Sequence, residues 1–553
     1  MNVLIPSAKI VPEELQNLGK LPAIIYPVGQ GSTLDYLLEQ YEGKADILRI
    51  LCYEMADEVE RRLSSFRSEK IRFQRLERLG DLGETIYAGL EETHAPVVIN
   101  FADTIVMDRM PEGTLDGFFC AEDYPSDIWT FFECEDGIIT SILDKQKSFG
   151  DGNRRKLFVG VFLISDQADL KNCLERSFQK RNPQMNTFYQ ALMQYSQIHP
   201  MQAVYTDNWF DIGHADKYYN SKLEVQAREF NHITIDKNRG ILSKSSDDKE
   251  KLIGEIMWYL KLPEDIEYVR PRIFSYSTRF QAPYISMEYY SYHTVHELFL
   301  YGDLNYHQWR DIFERIRFIY RDFKRYSVCD GGTVRALKEV YLDKTLERMD
   351  RLRADNRFQN FFRMPVKVNG VLYLPLGEIC RKLSEEIPQR LYDVEMFHII
   401  HGDLCFSNIM IDSNFSFIKV IDPRGRFGAY DIYGDQRYEL AKLFHSVDGR
   451  YDFIIKNLFE LKVDAEHAEL NYRIMDRKRE FDLYKMFCSV FREEIGGDQE
   501  KIVLIEALLF LSMIPLHNEN LEHQYAMLAT GVELLHRVMD IRTEENGGNE
   551  YVS

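Results

Sequence analysis

The sequence predicts two folded units of different class, an α/β unit followed by an α+β unit. Three observations carry this expectation. Short apolar runs alternate with helix-period patterns through residues 1–225, as strands and helices do when they take turns. A polar, charged span, Asn220–Glu229, interrupts that pattern and reads as a hinge. Residues 226–553 open with hairpin patterns and then become helix-rich, and one polar loop, His401–Met410, lies between the apolar runs Met396–Ile400 and Phe417–Ile421.

Composition narrows the function classes. A chain of 553 residues holds three or four units, or two large ones, at roughly 150 residues per domain. With 45% apolar and 13% aromatic residues it can bury large cores. The net charge of −20 excludes broad nucleic-acid or anionic-membrane binding but leaves room for a local basic pocket. Eight scattered cysteines without a Cys-x-x-Cys pair read as reduced thiols of a cytoplasmic protein, with neither a zinc site nor a disulfide framework. Met1–Pro6 lacks the pattern of a signal peptide. The longest apolar stretch, Ile502–Pro515, is too short to span a bilayer, contains Glu506 and reads as a buried helix, so no membrane insertion is expected.

In the first half, Val3–Ile5 and Pro22–Val28 are apolar runs, and Leu34, Leu37, Leu38 and Tyr41 give Gly29–Tyr41 a helical period. Asp46–Cys52 and Ile71–Leu76 read as strands and Leu82–Leu90 as a helix. Val97–Asp103 is a buried strand ending in an acid. The alternation predicts a mostly parallel sheet with helices on both faces. Ligands collect at the carboxyl ends of such strands, which puts Asp103 where a metal-bound phosphate would sit. Asn208–Tyr218 supplies a second acid, Asp211.

Pro22–Leu38, Val97–Asp103, Leu157–Ile164 and Trp209–Tyr218 together resemble successive blocks of the sugar-1-phosphate nucleotidyltransferases. The resemblance covers roughly residues 1–225 and implies a Rossmann-like domain. It also implies that Asp103 and Asp211 hold magnesium beside a nucleoside triphosphate (CTP, UTP, GTP or dTTP) and an attacking phosphate. One block departs from the family. Its first strand is followed by a glycine-rich loop with an arginine, whereas here that place reads Ser7–Glu14, without either residue. Leu21 stands where a lysine is expected before Pro22, leaving Lys9, Lys20 and Lys145 as substitute cations.

In the second half, Phe230–Ile235 and Gly240–Ser243 read as a hairpin, with Lys244 closing the second strand. The helix Asp247–Leu260 carries Glu255, and a strand lysine paired with a helix glutamate is the device that positions the α- and β-phosphates of ATP. Helices follow at Tyr306–Tyr326, Thr333–Asp350 and Leu376–Leu391, with a small hairpin at Val366–Leu374 around Asn369-Gly370. Ala465–Asp540 reads as a run of amphipathic helices. On the polar loop, Asp403 and Asn408 stand five residues apart, and the next strand delivers Asp422. One carboxylate to accept a hydroxyl proton, with an amide and a second carboxylate to bind magnesium, is a phosphoryl-transfer layout. The loop resembles that of the aminoglycoside phosphotransferase and choline kinase group of small-molecule kinases: His-Gly-Asp, four residues, then Asn. That resemblance implies a bilobal, protein-kinase-like fold, with lobes of about 226–292 and 293–541. Asp403 would be the catalytic base, Asn408 and Asp422 the metal ligands, and Lys244 with Glu255 the ATP-positioning pair. Tyr284–Tyr290 would be the adenine-binding hinge, including Glu288 and Tyr289. Gly434-Asp435 matches the group as well, with Asp435 bracing the loop. Arg424 and Arg426 are candidates for holding a substrate. Tyr289, Tyr290, Tyr292, Tyr430, Tyr433 and Tyr438 suggest packing more than a cage for a quaternary amine.

The expected whole is a bifunctional transferase. One half phosphorylates a sugar or amino alcohol with ATP and Mg2+. The other half links that phosphate to a nucleotide, as precursors of surface or capsular polysaccharide are made. Two other readings stay open: an active kinase joined to a non-catalytic nucleotidyltransferase-like module, and a non-catalytic scaffold. The acceptor, the base and the oligomeric state are not legible.

Overall fold

The computed structural model describes residues 2–29, 31–64, 66, 68–145, 153–215, 217–218, 233–236, 238–477 and 479–543. The expected hinge Asn220–Glu229, the start of the strand expected at Phe230 and most of the polar tail lie outside these residues. The chain divides into two compact units. The first comprises Met1–Asn231 with Tyr301–Asp303, and the second comprises His232–Leu300 with Leu304–Ser553.

In the first unit the strands Asn2–Ser7, Ile47–Cys52, Ile71–Arg75 and Val97–Asn100 run parallel, with Asn2–Ser7 between Val97–Asn100 and Ile47–Cys52. Asn2–Ser7, Ile47–Cys52 and Val97–Asn100 are largely buried, which is why they read as near-continuous apolar runs, whereas Ile71–Arg75 stays partly exposed. The Leu82–Gly89 helix starts at a capping box in which the Asp81 carboxylate accepts from the Glu84 amide at 2.9 Å. The sheet as a whole is mixed, which corrects the mostly parallel expectation. Arg155–Ile164 lies antiparallel to Val97–Asn100 and to Gly117–Asp123, and Thr130–Glu135 pairs antiparallel with Ile138–Asp144. A two-residue turn at Asp136-Gly137, both with positive φ, joins that last pair, and so short a connection can only reverse the chain. Phe118, Phe132, Phe158, Phe162 and Phe188 fill the core under this half.

In the second unit a four-stranded antiparallel sheet runs in the order Ile233–Asp236, Ile241–Ser245, Tyr284–Glu288, Ile273–Ser277. The Lys249–Lys261 helix, capped by Asp248, buries Leu252, Glu255, Ile256, Trp258 and Tyr259. The remainder is mainly helical. Tyr306–Lys324 buries Trp309, Ile312, Phe313, Ile316, Ile319 and Phe323, but Phe318, which shares the apolar spacing, is 68% exposed. The Gln499–Met513 helix buries nearly its whole surface, Glu506 included. The helix expected over Thr333–Asp350 is broken by a π-helical segment, Lys338–Asp343, before Lys344–Arg353 resumes the α form. The hairpin Val366–Val368 and Val371–Tyr373 turns at Asn369 and Gly370, both with positive φ. The helical expectation for Ala465 onward fails at Glu469–Ile474, a strand paired with Phe459–Asp464. There burial alternates by two, with Phe459, Leu461 and Leu470 inside, and the period-2 pattern is the one that packs. No helix among the described residues is long and apolar enough to cross a membrane.

Candidate functional sites

The first unit gathers its candidate residues beyond the carboxyl ends of the Asn2–Ser7 and Val97–Asn100 strands. Asp103 follows the second of these. Asp211 ends the Trp209–Asp211 strand, which pairs with Thr104–Val106 so that Asp211 stands opposite Thr104. The Ile212 amide donates to the Asp103 carbonyl at 2.8 Å, tying the two acids to one corner. Asp211 accepts from the Gly213 amide at 2.8 Å and lies 2.7 Å from His214 Nδ1. Burial, and then the Asp211 charge, push the Asp103 carboxyl up. Burial opposes charge on His214, but the hydrogen bond and charge of Asp211 outweigh it and raise the imidazole. A buried carboxylate held back from ionising beside a second acid is part of a donor set that a hard divalent cation stabilises. A cavity of about 430 Å³ opens here, lined by Ser7, Lys9, Asp103, Lys145, Tyr189 and His214 among others. Lys9 and Lys145 thus reach the cavity; Lys20 does not line it. The Ser7–Glu14 segment does not present a row of free amides. The Ile10 amide donates to Glu54 Oε2 at 2.8 Å and the Val11 amide to the Leu21 carbonyl at 2.8 Å.

The second unit builds its site from two small sheets. Phe397–Ile399 leads into the polar loop, Ile409–Ile411 leads out, and Ile418–Val420 pairs with the latter and delivers Asp422. The Ile421 amide donates to the Asn408 carbonyl at 3.0 Å and the Arg424 amide to the His401 carbonyl at 2.9 Å, so loop and strand end are stitched together. Lys244 Nζ lies 2.9 Å from Glu255 Oε2 and 2.7 Å from Asp422 Oδ1. Burial works against its charge, but Asp422 and Glu255 hold the ammonium protonated. Asp422 itself adopts a left-handed φ of 55°, and its amide donates to Tyr259 Oη at 3.1 Å. Gly425 follows at φ 68°, where a Cβ would sit 2.1 Å from the Gly254 carbonyl oxygen, so only glycine fits between this turn and the Glu255 helix.

Asp403 is the centre of the loop. Its Oδ1 pairs with Lys442 Nζ at 2.8 Å, and Asn408 Nδ2 donates to its carbonyl at 2.9 Å and to Oδ2 at 3.3 Å. Burial would raise the carboxyl, but Lys442, His401 and Arg424 pull it down to about 2. Asn408 thus spends its amide nitrogen on Asp403, leaving its oxygen as the atom suited to a hard cation. His401 is fully buried, packs edge-on against Trp258, and is kept neutral by burial, its pKa falling to about 4. The loop is braced by Glu439, which accepts from the His401 amide at 2.9 Å and the Gly402 amide at 2.7 Å. The bracing role expected of Asp435 therefore falls to Glu439. Asp435 caps the Gln436–Val447 helix and pairs with Arg437 at 2.8 Å. Sequence reasoning missed Glu439 and Lys442; the signal was their spacing of three along one helix, which turns both to the same face.

The remaining candidates scatter. In the ladder Lys244 stands opposite Ile285, so strand alternation sets Glu288 on the other sheet face, where it accepts from Tyr290 Oη at 2.7 Å. The Tyr289 amide donates to the Gly240 carbonyl at 2.8 Å. Tyr290 and Tyr292 pack on each other, Tyr438 bonds Arg424 at 2.8 Å and Tyr430 packs on Phe397. No common cage is formed.

No family model and no curated protein matches the chain. Solved structures with similarity to its N-terminal part include CTP:phosphocholine cytidylyltransferase from Streptococcus pneumoniae, 13% identical over 40% of this chain and 98% of that one, TM-score 0.33. Another is the inositol-1-phosphate CTP transferase from T. maritima, 10% identical over 41% and 96%, TM-score 0.32. Likeness at this level carries no weight for activity.

Proposed function

We propose that the chain is a two-step transferase acting on a small hydroxyl compound. The second unit moves the γ-phosphoryl group of ATP to the hydroxyl: the bond to ADP breaks, the bond to the hydroxyl oxygen forms, and the hydroxyl proton leaves by way of Asp403. The first unit lets the new phosphate attack the α-phosphorus of a nucleoside triphosphate, releasing pyrophosphate. The observation that carries this is the chain of contacts Glu255–Lys244–Asp422 meeting the Asp403–Asn408 loop through the Ile421 amide.

Each residue has a physical task. Glu255 fixes Lys244, whose ammonium holds the α- and β-phosphates. Asp403, anionic at every ordinary pH, orients the acceptor hydroxyl and takes its proton late, as suits a loose transition state. Asn408 and Asp422, and in the first unit Asp103 and Asp211, would hold Mg2+, which would supply positive charge against the phosphate oxygens.

A second reading has one observation in its favour. The amides of Ile10 and Val11 are engaged within the protein and so are not offered to a triphosphate, which favours a first unit that binds a nucleotide or sugar without turning it over. Incubation with ATP, Mg2+, a panel of sugars and amino alcohols, and CTP, UTP, GTP or dTTP separates the two. Pyrophosphate release that stops in Asp103→Ala supports two active units. ADP formation without pyrophosphate supports the second reading, and neither product from any member of the panel sinks the kinase assignment.

A further inference from the structure

Beside Asp403 lies a group of cations that the phosphoryl-transfer chemistry above does not use. Lys344 and Arg348 stand one helical turn apart on Lys344–Arg353, directly after the π-helical segment, and so share a face. π-Segments inside α-helices often mark functional positions. Tyr341 of the π-helical segment packs on Tyr438, ring centroids 6.3 Å apart, and Tyr438 Oη holds Arg424 from the loop after Asp422, while Lys442 of the Gln436–Val447 helix reaches Asp403 at 2.8 Å. Lys344, Arg348 and Arg424 are half-buried, and no carboxylate pairs with any of them among the described residues. Arg348 donates to the Ser512 carbonyl at 3.1 Å and Arg424 to Tyr438 Oη at 2.8 Å, both neutral acceptors. The charges suffer for it. Burial, then Arg424, Arg348 and Lys442, pull the Lys344 ammonium down to about 6 against the weaker opposing pull of Asp403. Burial and Arg424 likewise lower Arg348.

Like charges gathered in a half-buried place are costly unless an anion joins them. The Lys244 set and the Lys344 set are distinct: the first is neutralised by Glu255 and Asp422, the second has only Asp403, already matched by Lys442. We infer that the acceptor held beside Asp403 is an anion, a hydroxy compound already bearing a phosphate or carboxylate, whose charged group Lys344, Arg348 and Arg424 bind. Arg424 and Arg348 offer the planar donors that match both groups. A quaternary or primary amine is repelled there, and no aromatic cage compensates. The inference rests on the kinase reading for the role of Asp403, and the first unit then receives a compound that carries an anionic group in addition to the newly made phosphate.

The test uses the whole 553-residue chain with ATP and Mg2+. Acceptors are matched: glucose, glucosamine and choline against glucose 6-phosphate, glycerol 3-phosphate and gluconate. Turnover confined to the anionic members is expected, with the phosphates and gluconate telling which anion is preferred. In Lys344→Gln/Arg348→Gln the acceptor KM should rise about tenfold or more while the ATP KM moves by less than about twofold, and Lys344→Arg should restore the acceptor KM. Melting curves of each variant check folding. Equal turnover of neutral or cationic acceptors overturns the inference and leaves the kinase reading standing, as does a rise in ATP KM in place of acceptor KM. If no acceptor is phosphorylated the kinase reading fails, and calorimetric titration of the same anions then decides. Binding that the double variant loses keeps the anion site; absent or unaltered binding removes it.

Discussion

The acids of the first unit and those of the second face opposite electrostatic problems. Asp103 and Asp211 sit at one corner with His214 as their nearest counterion, and Asp103 is held back from ionising. Asp403 and Asp422 each have a lysine within 2.8 Å, and Asp403 is driven well below the usual carboxylate range. On the proposed reading, the first corner is short of positive charge and would take a cation. The second has cations without a carboxylate partner at Lys344, Arg348 and Arg424 and, on the inference above, would take an anion. Charge balance around a pair of carboxylates, more than their presence, tells what each site lacks.

The comparison can be broken most sharply at Asp403. Asp403→Ala should lower ATP-dependent phosphoryl transfer by roughly 10²–10⁴-fold while divalent-metal binding by the first unit persists. Steady-state ADP release and metal titration measure the two, and retained transfer would remove Asp403 from the chemistry. Next in size, Asp103→Asn with Asp211→Asn should weaken manganese binding in the first unit by roughly 10–100-fold, read as lost stoichiometry in a calorimetric titration. An unchanged titration would mean that this corner is not short of a cation. Glu439→Gln keeps an acceptor for one of the two loop amides and strands the other, costing about 1–3 kcal/mol of loop order. kcat should fall about tenfold or more, with Tm lowered, and an unaltered kcat would show the brace to be dispensable.

The smallest effect is on pH. The folded pKa of Lys344 is lowered to about 6, so its charge is full below that value and is lost as pH rises through it. A bound anion favours the charged form and lifts the pKa. Affinity for a carboxylate acceptor should therefore fall between pH 6 and 8, by at most about tenfold per unit, with a proton taken up on binding. Gluconate is the right probe because it is fully ionised throughout, whereas a phosphate gains its second charge in the same window. The groups acting on Lys344 are Arg348 on its own helix, Arg424 and Asp403 on the loops, and Lys442 on the packed helix. Affinity that is flat or rises with pH would show that Lys344 does not meet the anion.

Local pattern settled much of this protein. The apolar runs of the first half, the amphipathic helix at Tyr306–Lys324 and the Asn369-Gly370 turn are short-range features, because strand burial, helical spacing and turn conformation depend on a few neighbouring residues. The polar loop was legible for the same reason, since Asp403 and Asn408 lie on one short segment and Asp422 on the strand after it. Tertiary structure alone decided what required distant partners. The antiparallel half of the first sheet depends on which strands meet. The strand at Glu469–Ile474 depends on its pairing with Phe459–Asp464. Glu439 under the loop, Lys442 against Asp403, and the unmatched cations at Lys344 and Arg348 depend on helices brought in from elsewhere in the chain. Charge acts through space at distances that sequence separation does not record, so a sequence can name the acids while only the fold shows which charges surround them.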